Sequence, residues 1–340
     1  MAIYKVLSID GGGMNALVCA VVLARFEELL VEYSGRKNAS LVDFFDFFTG
    51  TSAGGILTGT YLCPSPKNPD RPLFNTKEVI DQYISIGKSI FKKPVLRTVS
   101  TLGGVTNAKY PASRLTIAFT SVFGDTKLSE CLKPCLIPAY NINTGKCAFY
   151  DRENARAYIE RDYYLRDVLR ATSSAPSYFP PAIVSAMTGK VSHLIDGGVF
   201  ANNPAMCGLV ELDKMTGCGA VCGKDVAIVS IGLGIRNDQI NYTAAQSWGK
   251  VGWAVPILGI FMNAISQTTD YQLRKIFSSD FNANSRYMRI DGTGIENLPQ
   301  LGPMDDASDK NIQNCIRYGE QLNEIYNERM RSFAHMLVTN

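Results

Sequence analysis

The chain has 340 residues, 46% of them hydrophobic, and a formal net charge of +3. That is ample material for a substantial core in one large domain or two ordinary ones. The charge is too weak for a protein whose main task is neutralising a phosphate backbone, which excludes nucleic acid as the principal partner. Nine cysteines in so long a chain do not make a disulfide framework, and the odd count points to a reducing, cytoplasmic setting. The N-terminus has no basic stretch followed by an apolar run, so no signal peptide is expected.

In chain order, residues 3–9 form a short β-rich run that ends at Asp10 and three glycines. A helix is expected over 14–33, apolar all round in its first half (Leu17, Val18, Val21, Val22, Leu23) as a helix against a sheet should be. An apolar strand over 44–48, a glycine-punctuated turn over 50–55 and a helix to about 62 repeat the same order. Residues 64–72 read as a Pro- and Asn-rich loop that could sit over an opening. Further strands are expected over 135–142, 192–195, 226–231 and 287–290. The longest uncharged run, 251–269, contains Pro256, Asn263, Ser266 and Gln267, so it reads as a buried or surface helix and not a bilayer span. From 309 onward Ile312, Ile316, Leu322, Ile325, Met330, Phe333 and Leu337 recur at helical spacing, which predicts one long C-terminal amphipathic helix within 305–340. Strand, glycine turn and buried helix in repetition give an α/β fold: a mainly parallel central sheet with helices on both faces, in a single domain over 1–340.

The sharpest motif is Gly50-Thr51-Ser52-Ala53-Gly54, directly after an apolar strand and before a helix. A serine in G-x-S-x-G occupies a strained turn that lifts its hydroxyl out of the sheet, beside the positive end of a helix. The plainer reading is a glycine turn whose serine caps that helix. A serine hydroxyl is a weak nucleophile and needs a base. Histidine is scarce: His335 lies five residues from the end of the chain on the amphipathic helix, and His193 lies inside a strand. Asp196 ends that strand, followed by Gly197 and Gly198, where α/β folds bind ligands. Its plainer role is to stabilise a turn. The economical hypothesis is a Ser52–Asp196 dyad whose base works better if burial raises its pKa. Asp10-Gly11-Gly12-Gly13 can converge backbone N–H groups on one point, either an oxyanion or a phosphate. Gly11, Gly13 and Ala16 fit a nucleotide fingerprint, but no acidic residue ends a second strand at the required distance.

Together these three segments resemble the patatin-like phospholipases, which carry D-G-G-G-x-R/K-G, G-x-S-x-G and D-G-A/G in that order. Ser174-Ala175-Pro176, Phe179-Pro180-Pro181 and Asn202-Asn203-Pro204 are similar too, and the resemblance runs from residue 3 to at least 204. It implies a three-layer fold with the nucleophile elbow after an early strand. It also implies a catalytic Ser52–Asp196 dyad, oxyanion donors at Gly11, Gly12 and Gly13, and neither metal nor cofactor. The implied reaction is hydrolysis of acyl esters in phospholipids or galactolipids through an acyl-enzyme, releasing free fatty acid. Asn15 and Ala16 depart from the family's basic residue and glycine. Asn15 keeps a hydrogen-bond donor but lacks the charge that would hold a loop or an anionic headgroup, so a lower rate, a neutral-lipid preference or a need for activation would each fit.

Alternative readings are a weak or inactive lipid-binding relative, a phospholipase effector switched on by a small messenger, and a nucleotide-binding protein. Transient membrane contact would fall on the basic segment of Lys88, Lys92, Lys93 and Arg97, or on 251–262; the plainer reading of the first is a solvated helix end stopped at Pro94. A homo-oligomer stays open. Cys131, Cys135, Cys218 and Cys222 lack zinc-knuckle spacing and read as buried thiols. Arginines 152, 156, 161, 166 and 170, interleaved with acids, read as a solvated face, and Trp248 and Trp253 as packing anchors.

Overall fold

The computed structural model describes residues 3–92, 107–234, 240–254, 256–277 and 286–339. Strands β1 (Tyr4–Ile9) and β2 (Phe47–Gly50) are followed by a small separate hairpin, β3 (Pro64–Ser65) and β4 (Asn68–Pro72). Then come β5 (Cys135–Asn141), β6 (Lys146–Asp151), β7 (Ala182–Ser185), β8 (Val191–Asp196), β9 (Val226–Ile231) and β10 (Tyr287–Ile290). The eight strands outside the hairpin form one mixed sheet. Its β10-β9-β1-β2-β5 portion is parallel throughout.

β5 is the strand on which the sheet changes character. Along one edge it pairs with β6, antiparallel, from Leu136 to Asn141. The other edge is divided: Cys135 and Leu136 pair with β2, whereas Ala139, Tyr140 and Asn141 pair with β8. β2 therefore runs up this edge and stops, β8 runs down it in the opposite sense and stops, and the two chain ends meet near Pro138. β7 continues the antiparallel portion from β8.

Helices α1 (Leu17–Ser34), α2 (Ala53–Leu62), α3 (Thr76–Ile90), α4 (Ala112–Phe123) and α5 (Leu165–Thr172) share one large core with the sheet. The one-turn α6 (Gly198–Ala201) follows β8, and α7 (Ala205–Thr216) with the end of α8 (Pro256–Ile276) covers the opposite face. Period-two alternation sorts the strand side chains between the layers. Leu7, Ile9 and Phe48 enter the first core, while Val6 and Phe47 enter the second. The result is a three-layer α/β sandwich. α2 is buried at every position, which its small and apolar sequence allows.

Two expectations need correction. The C-terminal segment is two helices, α9 (Asp309–Ile325) and α10 (Asn327–Thr339), both packed on α1. The break at Tyr326, whose hydroxyl donates to the Asp291 carbonyl at 3.0 Å, turns Ile325 outward to 54% exposure instead of into the core. Residues 64–72 are the β3–β4 hairpin and line neither cavity beside the motifs. Arg71 ties the hairpin to Asp43 at 2.8 Å.

Candidate active site

The meeting of β2 and β8 on β5 brings together two residues 144 positions apart. Ser52 Oγ donates a hydrogen bond to Asp196 Oδ2 at 2.6 Å. Both residues are buried, at 8% and 3% exposure. Asp196 ends its strand as expected, although β8 is antiparallel to β5 and not part of the parallel run. The register places it instead, with Asp196 opposite Ala139 while Thr49 lies opposite Leu136.

The elbow is strained as its motif requires. Ser52 has φ 54° and ψ −122°, in the region non-glycine residues avoid. The close approach behind it needs glycine: a Cβ on Gly54 would lie 2.2 Å from the Ile9 carbonyl oxygen. Thr51 Oγ1 donates to the Ala201 carbonyl at 2.6 Å, and the Ser52 N–H donates to Thr172 Oγ1 at 2.9 Å. Thr172 Oγ1 in turn donates to the Pro138 carbonyl at 2.6 Å, fastening the elbow to β5.

Asp196 is held from several directions. Its N–H donates to the Ser174 carbonyl at 3.1 Å, and its Oδ1 accepts the Gly198 N–H at 2.7 Å. Burial pushes its carboxyl up to about 7, against the opposing pull of the Ser52 and Gly198 hydrogen bonds. A carboxylate with that affinity can exchange protons near neutrality. Arg170, expected on a solvated face, is instead buried at 8% exposure, and its Nη1 donates to Ser174 Oγ at 2.6 Å. Arg152 of the same series is buried as well. α5 is buried at every position from Val168 to Thr172, all round the helix, which a charge count does not register.

The glycine loop lies beside the elbow. Gly11 donates its N–H to the Asn202 carbonyl at 3.0 Å, and Met14 donates its own to the Met304 carbonyl at 2.7 Å. The N–H groups of Gly12 and Gly13 have no partner among the described residues. Gly13 has φ +57°, and a Cβ there would lie 2.2 Å from the Met304 oxygen. With two of its amides engaged, the loop is a poor cradle for phosphate. Asp10, at its head, is clamped by Arg289, whose Nη1 and Nη2 donate to Oδ1 at 2.8 Å and Oδ2 at 2.6 Å. Arg289 also donates to Asp291 Oδ2 at 2.9 Å and Ser230 Oγ at 2.8 Å. Sequence reasoning missed Arg289 because a single arginine in a strand carries no local signal.

Asn15 is fully buried and faces neither cavity. Its Nδ2 donates to the Gly302 carbonyl at 2.9 Å, and its Oδ1 accepts from Asn311 Nδ2 at 3.0 Å. It holds a loop without charge, so its effect on a headgroup is not direct. The histidines stand apart from the dyad: His193 Nδ1 pairs with Asn143 Oδ1 at 2.7 Å, and His335 meets the Tyr33 ring edge-on. All nine cysteines are free thiols; Cys131 and Cys135 are buried, but Cys218 is half-buried and Cys222 exposed. Trp248 and Trp253 pack edge to face at 5.2 Å.

Two cavities flank the dyad. A narrow one of about 50 Å³ reaches Ser52 and Asp196 between apolar walls that include Met14, Ile86, Ile90, Leu115 and Phe179. A wider one of about 800 Å³ opens beyond Met262 and is lined by Asp10, Asn202, Ser266, Asp270 and Arg289. α8 forms one wall of the second. It turns Ile260, Met262 and Ser266 to the cavity, while Ile257 and Phe261, 39% and 48% exposed, lie on its outer side. Of the basic segment, Lys88 pairs with Asp309 at 2.7 Å and Lys92 is exposed, while Lys93 and Arg97 lie outside the described residues. α3 ends at Ile90, before Pro94.

The comparison with known proteins decides the family. The patatin-like phospholipase family model matches residues 7–207, which hold the elbow, the loop and Asp196. This chain belongs to the patatin-like phospholipase family. Patatin-like protein 2 of Oryza sativa is 31% identical over 93% of this chain and 83% of that protein. Patatin-like protein 3 of Arabidopsis thaliana is 30% identical over 94% and 80%. Patatin group M-3 of Solanum tuberosum is 29% identical over 98% and 89%. Among solved structures, VipD from Legionella pneumophila aligns over 96% of this chain and 67% of its own, with 11% identity and a TM-score of 0.37. Membership makes this patatin-like protein a lipid acyl hydrolase in general terms. Among its described residues, no helix is long and apolar enough to cross a membrane.

Proposed function

We propose that this protein hydrolyses carboxylic esters of phospholipids or galactolipids through a Ser52 nucleophile and an Asp196 base. The observation that carries the reading is the 2.6 Å hydrogen bond from Ser52 Oγ to a buried carboxyl pushed up to about 7. Ser52 Oγ attacks the ester carbonyl while its proton passes to Asp196 Oδ2. The departing alcohol takes that proton, leaving a Ser52 acyl ester. Water then attacks the ester, gives a proton to Asp196, and the fatty acid leaves as Ser52 is reprotonated. Gly12 and Gly13 supply N–H donors to the oxyanion. Gly11 takes a supporting part, because its own N–H is spent on Asn202. The whole of 1–340 acts as one unit in this reading, since the sheet draws on strands from Tyr4 to Ile290 and the last helices pack on α1.

The direct test is labelling with a fluorophosphonate, which reports an activated serine whatever the lipid. An adduct on Ser52, absent from Ser52→Ala, is expected. No adduct in the presence of lipid vesicles would overturn the reading.

The pH dependence follows from the raised carboxyl. The base must be ionised to take the proton, so hydrolysis of a soluble ester should fall as pH drops below about 7 and level off above it. A profile flat from pH 5 to 8 would remove Asp196 as the base.

The outer side of α8 is the surface we assign to lipid contact. Ile257 and Phe261, four positions apart, share one exposed face, and Ile260 between them borders the wider cavity. Ile257→Asp with Phe261→Asp should weaken sedimentation with lipid vesicles by roughly tenfold or more. Hydrolysis of a short soluble ester should stay within about twofold, because neither residue touches the dyad. Equal losses in both assays would argue for a folding role instead.

A further inference from the structure

Asn202 has no task in the reaction just described, yet it is built into its centre. Its main-chain carbonyl accepts the Gly11 N–H at 3.0 Å, and the carbonyl of Ala201 before it accepts Thr51 Oγ1 at 2.6 Å. The segment thus laces the glycine loop to the elbow. Its side chain is 7% exposed, and Oδ1 is a buried acceptor with no hydrogen-bond partner. Leaving such an oxygen unpaired is costly, and native sites that do so carry a reason.

The hydrogen-bond chain behind it fixes which way the carboxamide faces. Both oxygens of Asp10 accept from Arg289, so that carboxylate acts only as an acceptor. Ser266 Oγ, 3.4 Å from Asp10 Oδ2, therefore gives its proton to Asp10. Its lone pair is left to receive Asn202 Nδ2 at 3.0 Å. A flipped amide would set oxygen against oxygen, so Oδ1 must point to the other side. That side is the dyad. A Cβ on Gly11 would lie 2.4 Å from Asn202 Oδ1 and 3.3 Å from Ser52 Cβ. One on Gly198 would lie 3.3 Å from Asn202 Oδ1 and 3.1 Å from Asp196 Oδ1.

A fixed acceptor beside the dyad is wrong for an oxyanion, which it would repel, and right for the O–H of a water. We propose that Asn202 is a catalytic residue of the second half-reaction, holding the water that cleaves the acyl-enzyme; the inference rests on the hydrolytic reading above. One O–H of that water donates to Asp196 Oδ2 and the other to Asn202 Oδ1, which turns an oxygen lone pair toward the acyl carbon. The water oxygen bonds to that carbon as its first proton passes to Asp196. The bond from carbon to Ser52 Oγ then breaks, Ser52 Oγ takes the proton from Asp196, and the fatty acid leaves with the second proton still on its new oxygen. Acylation involves no water and does not call on Asn202 Oδ1.

Methanol distinguishes this role from a structural one, because it has a single O–H and needs only Asp196. The full chain is given a soluble fatty-acyl ester at a fixed methanol concentration, and the ratio of methyl ester to free fatty acid is measured. This ratio depends only on how the acyl-enzyme partitions, not on which step limits the rate. In Asn202→Leu, similar in size but without the acceptor, the ratio should rise at least tenfold, with the acyl adduct on Ser52 accumulating in intact-mass spectra. Ser266→Ala, which frees the amide to turn, should raise the ratio several-fold, and it decides the matter if Asn202→Leu does not fold. A ratio unchanged from wild type in the folded variants overturns the proposal. A wild type that forms neither product overturns the hydrolase reading itself.

Discussion

Asp196→Asn is expected to lower ester hydrolysis by roughly 10⁴-fold, since a positioned base contributes about 10²–10⁴ and in the proposed mechanism Asp196 serves both half-reactions. The fold should survive the change. An asparagine has nearly the shape of the carboxyl, its Oδ1 can keep the Gly198 N–H, and its Nδ2 can donate to Ser52 Oγ where Asp196 Oδ2 now accepts. The stability change has a definite sign. The folded carboxyl titrates at about 7, above the ordinary carboxyl value of 3.8, so its contribution is fully present below about pH 4 and is lost as pH rises through 7. The asparagine variant escapes that loss, and urea unfolding should show it gaining on wild type between pH 5 and 8. Activity within tenfold of wild type would remove Asp196 from the mechanism. Lost activity with a collapsed unfolding midpoint would make it a structural residue.

Arg289→Met should cost about 3–5 kcal/mol of stability, the range for removing one partner from a buried ion pair. Arg289 is 3% exposed and lies between Asp10 and Asp291, themselves at 3% and 8%. Its loss leaves two buried carboxylates facing each other with no cation between them. Each would then take up a proton more readily in the folded state, so the penalty should be largest at pH 8 and shrink toward pH 5. Adding Asp10→Asn should recover part of it, which the same urea titrations would show. Hydrolysis should fall as well, because Asp10 begins the loop that carries Gly12 and Gly13. A loss below about 1 kcal/mol at pH 8 would mean that the pair is exchangeable for packing.

Much of this was legible from residue order alone. β9 and β10 span the residues expected of them, because a strand buried on both faces reads as a mainly apolar run, interrupted here only by Ser230 and Arg289. The elbow was legible because its demands are local: a serine at φ 54° needs small neighbours, and these are adjacent in the chain. The edge strands β6 and β7 went unseen, since their apolar runs, 147–150 and 182–184, are short and partly exposed. One long C-terminal helix was expected because periodicity continues across Tyr326, where a single side-chain contact to Asp291 accompanies the break.

The residue types and order of the site, serine elbow, glycine loop and Asp-Gly-Gly, are thus properties of the sequence by itself. Each is set by what a few neighbouring backbone units can adopt. How those pieces meet was decided only by the tertiary structure. The divided edge of β5 sets Ser52 against Asp196 across 144 positions. The parallel run β1-β9-β10 carries Arg289 to Asp10 across 279. Asn202 and Ser266 meet only because α8 lies across α6. A hydrogen bond requires its two atoms within about 3 Å, and sequence spacing constrains that distance within a turn of helix or one strand but not between strands of a sheet.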